Sequence, residues 1–276
     1  MAHRFVAGET VDEAIAAARA CNNAGMLVSL DYLGENCSTT ADAQRARDAY
    51  LEIFERIRQE NLHANVSCKL TQLGLDLNVD FCQGLVVSIV ELAARYDSFL
   101  RVDMEGSPYT ERTLEIIKSV RARNPAIGTV IQSYLYRSET DIQSLLAYGC
   151  RIRLCKGAYK ELPDVAYPHK RDVDFNFVRL MKILLPSGFY HGVATHDPRM
   201  IAETIRWAAA KQITKDDFEF QMLYGVRTDL QRRLVSDGYR LRVYIPFGND
   251  WFPYFMRRLA ERPANLGFLI RNVFRS

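Results

Sequence analysis

Eight short apolar segments recur along the chain, each ending in polar or glycine-bearing residues and each followed by a stretch whose apolar positions have helical spacing. They cover residues 26–30, 65–69, 99–103, 129–132, 151–155, 192–195, 218–222 and 241–245. Helices that follow strands in this way cover a parallel sheet, and eight repeats predict an α/β fold, a (β/α)8 barrel of the TIM type. The stretches between them carry start signals. Thr10 to Glu13 reads as a capping box, and Ser138 to Asp141 as one with a shorter acid. Ser107 before Pro108, and Asp197 before Pro198, put a cap ahead of a proline at the first helical position, where a missing N–H costs nothing. Phe177, Met181, Leu184 and Leu185 line one helix face, as do Leu266, Ile270, Val273 and Phe274. An extra helix is expected before the first strand and another after the last, over the barrel mouth. With no linker, low-complexity tract or repeat in sequence, residues 1–276 are expected to form a single domain.

In such barrels chemistry gathers at the carboxyl ends of the strands. The polar residues there are Asp31, Lys69, Asp103, Gln132, Arg153 with Lys156, Thr195 with His196, Gln221 and Tyr244. A strand-end Asp or Thr is equally a helix cap, and Gln or His equally a structural hydrogen bonder, so this set defines a mouth and not yet a reaction. The tail at 244–261, YIPFGNDWFPYFMRRLAE, narrows it. Arg257 and Arg258 stand among Tyr244, Trp251, Phe252, Tyr254 and Phe255. A guanidinium fork can hold a small carboxylate bidentately while aromatic rings exclude water. The alternative is a basic helix face under aromatic cover, with Arg257 and Glu261 pairing four residues apart.

Composition removes other classes. The 276 residues are 48% hydrophobic, enough for a large core, and a formal net charge of +3 without a dense basic run argues against a nucleic-acid partner. Cys21, Cys37, Cys68, Cys82, Cys150 and Cys155 are scattered with no CxxC pair, which argues against zinc and against a disulfide framework and for a reducing, cytoplasmic setting. No apolar run approaches the roughly 18 residues of a membrane span. The expectation is a soluble protein, with peripheral contact with the inner membrane and homo-oligomerisation left open.

Several segments then converge. LDYLGE at 30–35, SCKLTQLG at 67–74, VDMEGSP at 102–108, IQSYLYRS at 131–138, RLCKGAY at 153–159, ATHD at 194–197, FEFQMLYG at 218–225 and the arginine tail together resemble the flavin-dependent proline dehydrogenases of monofunctional bacterial type, nearly end to end. The resemblance implies oxidation of L-proline to Δ1-pyrroline-5-carboxylate as the first step of proline catabolism. Hydride would pass from ring C5 to N5 of FAD, the electrons would go to quinone, and the product would be released to a separate pyrroline-5-carboxylate dehydrogenase. It accounts for the missing GxGxxG turn, since FAD in this family lies across the barrel mouth.

The resemblance also implies a site. The proline carboxylate would meet Arg257, Arg258 and Lys69, with Asp103 and Glu261 balancing charge. Tyr244, Tyr254, Leu223 and the Tyr159 region would wall the ring, and Glu35 would pair with Arg257 as a gate. The flavin would lie against Met104, Val130, Gln132, Arg153, Cys155, Lys156, Gly157, Ala158, Tyr159, Thr195, His196 and Gln221. Cys155 stands where many relatives carry valine. Two other readings stay open here: a barrel lyase using Lys69 or Lys156 as a Schiff-base amine, and a carboxylate-binding barrel that has lost its cofactor.

Overall fold

In the computed structural model, which describes residues 5–260 except the side chains of 258–260, the eight strands close into one parallel barrel in sequence order. They are β1 (Leu27–Tyr32), β2 (Ala64–Cys68), β3 (Leu100–Val102), β4 (Ile127–Gln132), β5 (Arg151–Cys155), β6 (His191–Ala194), β7 (Phe218–Leu223) and β8 (Leu241–Phe247). Closure comes from β1 pairing with β2 on one side and β8 on the other, so Ser29 stands level with Asn65 and Tyr244. All eight sequence segments coincide with strands, no end moved by more than two residues.

The helices are α1 (Val11–Asn23), α2 (Thr40–Gln59), α3 (Val79–Arg95), α4 (Ser107–Arg121), α5 (Ser138–Ala147), α6 (Lys170–Leu184), α7 (Pro198–Ala210), α8 (Thr228–Ser236) and α9 (Trp251–Ala260). α1 is the expected extra helix, and its Thr10–Glu13 capping box forms in full. Asp197 caps α7 ahead of Pro198, accepting from the Arg199 N–H. Two caps differ from expectation. α4 starts one residue early, at Ser107 with Gly106 as its cap, because the Ser107 N–H and hydroxyl both donate to Glu161, at 2.7 and 2.5 Å. Ser138 opens α5 without forming a box, since its hydroxyl donates instead to the Gln132 carbonyl at 2.6 Å. The expected face at Leu266, Ile270, Val273 and Phe274 lies outside the described residues.

Alternation along each strand separates two interiors. Leu30, Val66, Val102, Ile131, Leu154, Val193 and Phe220 lie in the apolar shell under the helices, each almost wholly buried. The lumen is polar. Arg242 Nε donates to Glu219 Oε1 at 2.7 Å, Gln221 Nε2 donates to the same oxygen at 2.5 Å, and Arg153 Nε donates to Gln221 Oε1. Arg153 continues the column, donating to Asp103 at 2.7 Å and to Ser67 Oγ at 3.1 Å. Charges are tolerated inside a barrel only when paired and hydrogen-bonded, and this column meets that condition. Gly192 makes room for it: a Cβ there would stand 2.4 Å from Gln221 Nε2.

Candidate active site

The charged column ends at the carboxyl mouth, in the floor of a cavity of about 670 Å³. Asp103 is the junction, receiving Arg153 Nη1 on one oxygen and the Tyr244 hydroxyl on the other, each at 2.7 Å. The Tyr244 ring lies 5.1 Å from the Arg153 guanidinium, so cation, carboxylate and phenol fix one another. Burial next to Asp103 pushes the Tyr244 hydroxyl well above its ordinary pKa, so it stays a proton-bearing donor.

Lys69 stands beside this group, 5% exposed, with its Nζ 3.3 and 3.4 Å from the two oxygens of Asp31. Burial alone would lower the lysine pKa, but Asp31, Asp103 and Glu35 outweigh it and hold Lys69 above its ordinary value. Asp31, fully buried, is pushed up by desolvation, against the pull of Lys69. Lys69 is therefore a fixed cation, the opposite of an amine activated by a lowered pKa. Lys156 is committed to Asp174 and Asp197 at 2.6 and 2.9 Å. The lyase reading has no free amine in either lysine.

α9 brings Arg257 over the mouth. Arg257 makes a two-pronged ion pair with Glu35 at 2.6 and 3.2 Å, and its guanidinium lies 5.5 Å from the Tyr159 ring centre. Burial opposes the charge of Arg257, but Glu35 offsets this and its pKa stays raised. α9 is held by Tyr254, 5% exposed, which packs in a small cluster with Val6 and Leu33 beside Tyr244 and Trp251. Arg257 thus pairs across 222 positions of sequence. The Arg258 side chain and Glu261 lie outside the described residues, and with them the alternative pair within the helix.

The other wall comes from β4, β5 and the loop after β5. Lys69, Asp103, Tyr244, Tyr254, Arg257, Leu223, Met104, Val130, Gln132, Arg153, Cys155, Lys156, Gly157, Ala158, Tyr159, Thr195, His196 and Gln221 all border the cavity. Gln132 gives its amide N–H to the Met104 carbonyl at 3.2 Å, while its buried Oε1 has no partner among the described residues. His196 Nε2 accepts from the Leu223 N–H at 2.9 Å, tying the ends of β6 and β7 together. Gly157 has φ +114, and a Cβ there would meet the Tyr134 ring at 2.5 Å. Only glycine takes that backbone conformation without strain. Gly157→Ala is expected to lower stability by about 1–3 kcal/mol, read from the urea midpoint, and an unchanged midpoint would show that the loop can shift.

Several contributors escape the sequence reading. Glu161 anchors the loop after β5 by accepting from Ser107 and from the Tyr134 hydroxyl, the latter at 3.3 Å. Asp174 and Lys170, early in α6, join Lys156 and Asp197 in one ion cluster at the cavity edge. Arg227 borders the cavity from the positive-φ position that caps α8. Glu161, Lys170, Asp174 and Arg227 belong to none of the quoted motifs, and Asp197, which does, has a role as a helix cap that hides its second role as an ion partner.

Comparison with known proteins bears on what this mouth does. The family profile described as Proline dehydrogenase matches residues 14–271. The chain is 42% identical to Proline dehydrogenase 1 of Bacillus subtilis (strain 168), over 99% of this chain and 91% of that protein. It is 41% identical to Proline dehydrogenase of Deinococcus radiodurans, over 100% of this chain and 90% of that protein. Among solved structures, proline utilization A (PutA) from Bdellovibrio bacteriovorus inactivated by N-propargylglycine aligns with a TM-score of 0.87 and 26% identity, covering 94% of this chain. The chain spans about a third of that PutA chain, 32% of its length.

Proposed function

Because this chain belongs to the proline dehydrogenase family and oxidises proline in the first step of proline catabolism, we propose that the cavity at its carboxyl mouth holds L-proline over Lys69 and Arg257, against FAD. The observation that carries the reading is the meeting of two held cations, Lys69 below and Arg257 above, at one end of a cavity whose remaining wall is a polar-edged groove. A site of roughly 300–1,000 Å³ is usual for ligands of cofactor size. The groove fits an isoalloxazine ring on two grounds. Gln132 Oε1 is a buried acceptor with no partner among the described residues, which an imide N–H would satisfy. Gly157 lets backbone approach where any Cβ would intrude.

What FAD supplies when bound is an acceptor at N5 for hydride from ring C5 of proline, with quinone taking the electrons afterwards. The chain's own residues do the rest. Lys69 and Arg257, with Arg258, neutralise the substrate carboxylate, and Asp31, Asp103 and Glu35 keep these cations from repelling one another. Tyr244, Tyr254 and Leu223 close around the ring and fix its face, so the reacting carbon is held in one orientation. Arg153 brings positive charge to the groove, where it favours a reduced, electron-rich cofactor, and Asp103 locks its position. Met104, Val130, Cys155, Lys156, Ala158, Tyr159, Thr195, His196 and Gln221 complete the flavin contacts. Glu261 completes the balance of charge around the carboxylate. The barrel works as a single domain in the cytoplasm and hands its product to a separate dehydrogenase.

Glu35 acts as the gate. Its pair with Arg257 spans the mouth, and an entering carboxylate competes with Glu35 for the same fork. Glu35→Ala is expected to change the KM for proline several-fold at constant FAD content, about 1 kcal/mol. Steady-state kinetics giving the wild-type KM and kcat would end the gate.

The test of the whole reading is the visible spectrum of the FAD-reconstituted protein, before and after anaerobic L-proline. Bleaching of the oxidised flavin band is expected. A flavin that proline leaves oxidised would sink the substrate assignment, and a protein that never retains flavin would sink the cofactor assignment.

A further inference from the structure

The opposite mouth of the barrel carries a feature that proline oxidation does not use. At the amino-terminal ends of the strands lies a cavity of about 220 Å³, bordered by Asn65, Asp97, Arg101, Arg151, Glu219 and Arg242 among others. Glu219 is already satisfied. Arg242 takes both its oxygens, at 2.7 and 3.0 Å, while the Tyr190 hydroxyl and Gln221 Nε2 donate at 2.9 and 2.5 Å. Arg101 and Arg151 form no ion pair with any carboxylate among the described residues.

Arg101 is the telling residue. It is 3% exposed, yet among the described residues its Nε has no partner and its Nη1 reaches only the carbonyls of Thr129 and Arg151, at 2.9 and 2.7 Å. Burial pulls its pKa down to about 9, and Arg153 adds to the shift. Such a buried cation is costly unless something answers it. Arg151 lies 5.1 Å from the Phe99 ring centre and 5.3 Å from that of Tyr190, and Arg101 lies 4.9 Å from Phe99. The rings fix both guanidinium planes without using their N–H groups. Asn65, 6% exposed, also has a buried amide oxygen without a partner among the described residues. Its amide NH2 is a donor the cavity can use without any turn of the side chain.

We propose that this cavity is a binding site for a small doubly charged oxyanion of the phosphate class, held by Arg101 and Arg151 with Asn65 beside them. Glu219 acts on both arginines from a distance but is already held by Arg242, so a dianion adds the direct partner that both lack, and its several oxygens match two planar forks. A zwitterionic amino acid would neutralise only one and would set its own ammonium group against the other. The site is separated from the carboxyl mouth by the length of the lumen column, so it is distinct from the proline pocket.

Titration calorimetry at constant ionic strength tests this on the FAD-loaded protein, with inorganic phosphate and glycerol 3-phosphate as probes and chloride as the background anion. Saturable binding of at least one probe is expected; the tighter of the two tells whether free phosphate or a monoester is the better ligand. Arg151→Met should weaken binding at least tenfold while proline turnover persists, since Arg151 is exposed at a strand end and its replacement should fold. Arg257→Met should leave phosphate binding in place, which separates this site from the cations of the other mouth. The proposal is overturned if neither probe binds at millimolar concentration, if Arg151→Met binds as the wild type does, or if Arg257→Met alone abolishes binding.

Discussion

Lys69→Met is expected to lower kcat/KM for proline about a thousandfold, roughly 4 kcal/mol of transition-state stabilisation, and to destabilise the fold as well. The two losses have different origins. Activity falls because the cation at the cavity floor is gone. Stability falls because Asp31, with no exposed surface, loses the one cation within ion-pair distance of it among the described residues. Breaking a buried pair on one side typically costs about 3–5 kcal/mol. The cost is limited here because Asp31 can take a proton: its pKa is already raised by burial, and without Lys69 the largest opposing influence disappears.

The sign of the pH effect follows from that. A carboxyl whose folded pKa lies above its unfolded value stabilises the fold fully below the unfolded pKa and loses that contribution as pH rises through the folded one. The Lys69→Met deficit should therefore grow with rising pH, from the already raised pKa that Asp31 has beside Lys69 up to the still higher one it has without it. Urea midpoints across pH measure it. Adding Asp31→Asn should restore much of the stability and remove this pH dependence without restoring turnover. If the double variant regained activity, Lys69 would be structural only and its substrate role would be wrong.

Arg153→Met is the second large effect. Arg153 is 6% exposed and donates to Gln221, Asp103, Ser67 and, at 3.5 Å, Ser29. Its loss leaves the Asp103 carboxylate with the Tyr244 hydroxyl as its one side-chain hydrogen-bond donor among the described residues, and strands Gln221 above the Glu219 pair. A destabilisation of about 3–5 kcal/mol is expected, with FAD content after purification reduced at least tenfold. Arg153→Lys restores charge but not the fork, so it should recover part of the stability and little of the flavin. Absorbance at the flavin band against total protein, together with a urea midpoint, reads both. Wild-type flavin content in Arg153→Met at a lowered midpoint would confine Arg153 to supporting the lumen.

How far the sequence carries can be judged at individual residues. The eight apolar segments are legible because a strand buried on one side by helices and on the other by its lumen needs a short dense run, and the helices between carry their own caps. Thr10 and Asp197 were readable because a cap depends on residues two or three positions away. Ser107 and Ser138 depart from their expected caps for the complementary reason: Glu161 and the Gln132 carbonyl draw their hydroxyls away, and neither contact is written in the neighbouring residues. The strand-end polar set was likewise legible, since position along a strand already says which mouth a residue faces.

Partner choice belongs to the tertiary structure. Sequence spacing offered Arg257 a glutamate four residues on; the closed barrel offers Glu35 from the first strand's loop, and that pair forms with two prongs. Spacing left Lys69 as either an anion-binding cation or a nucleophilic amine. What decides is the carboxylate of Asp31, brought beside it because β1 and β2 are neighbours, which holds the proton on the lysine. The two arginines at the far mouth that have no ion pair among the described residues were invisible for the same reason: a charge is recognisable in a sequence, but whether anything answers it depends on distances between strands. Local periodicity determined the barrel and its two ends; the electrostatics at each end were decided only when eight distant segments were brought within a few ångströms, where pairing and desolvation act.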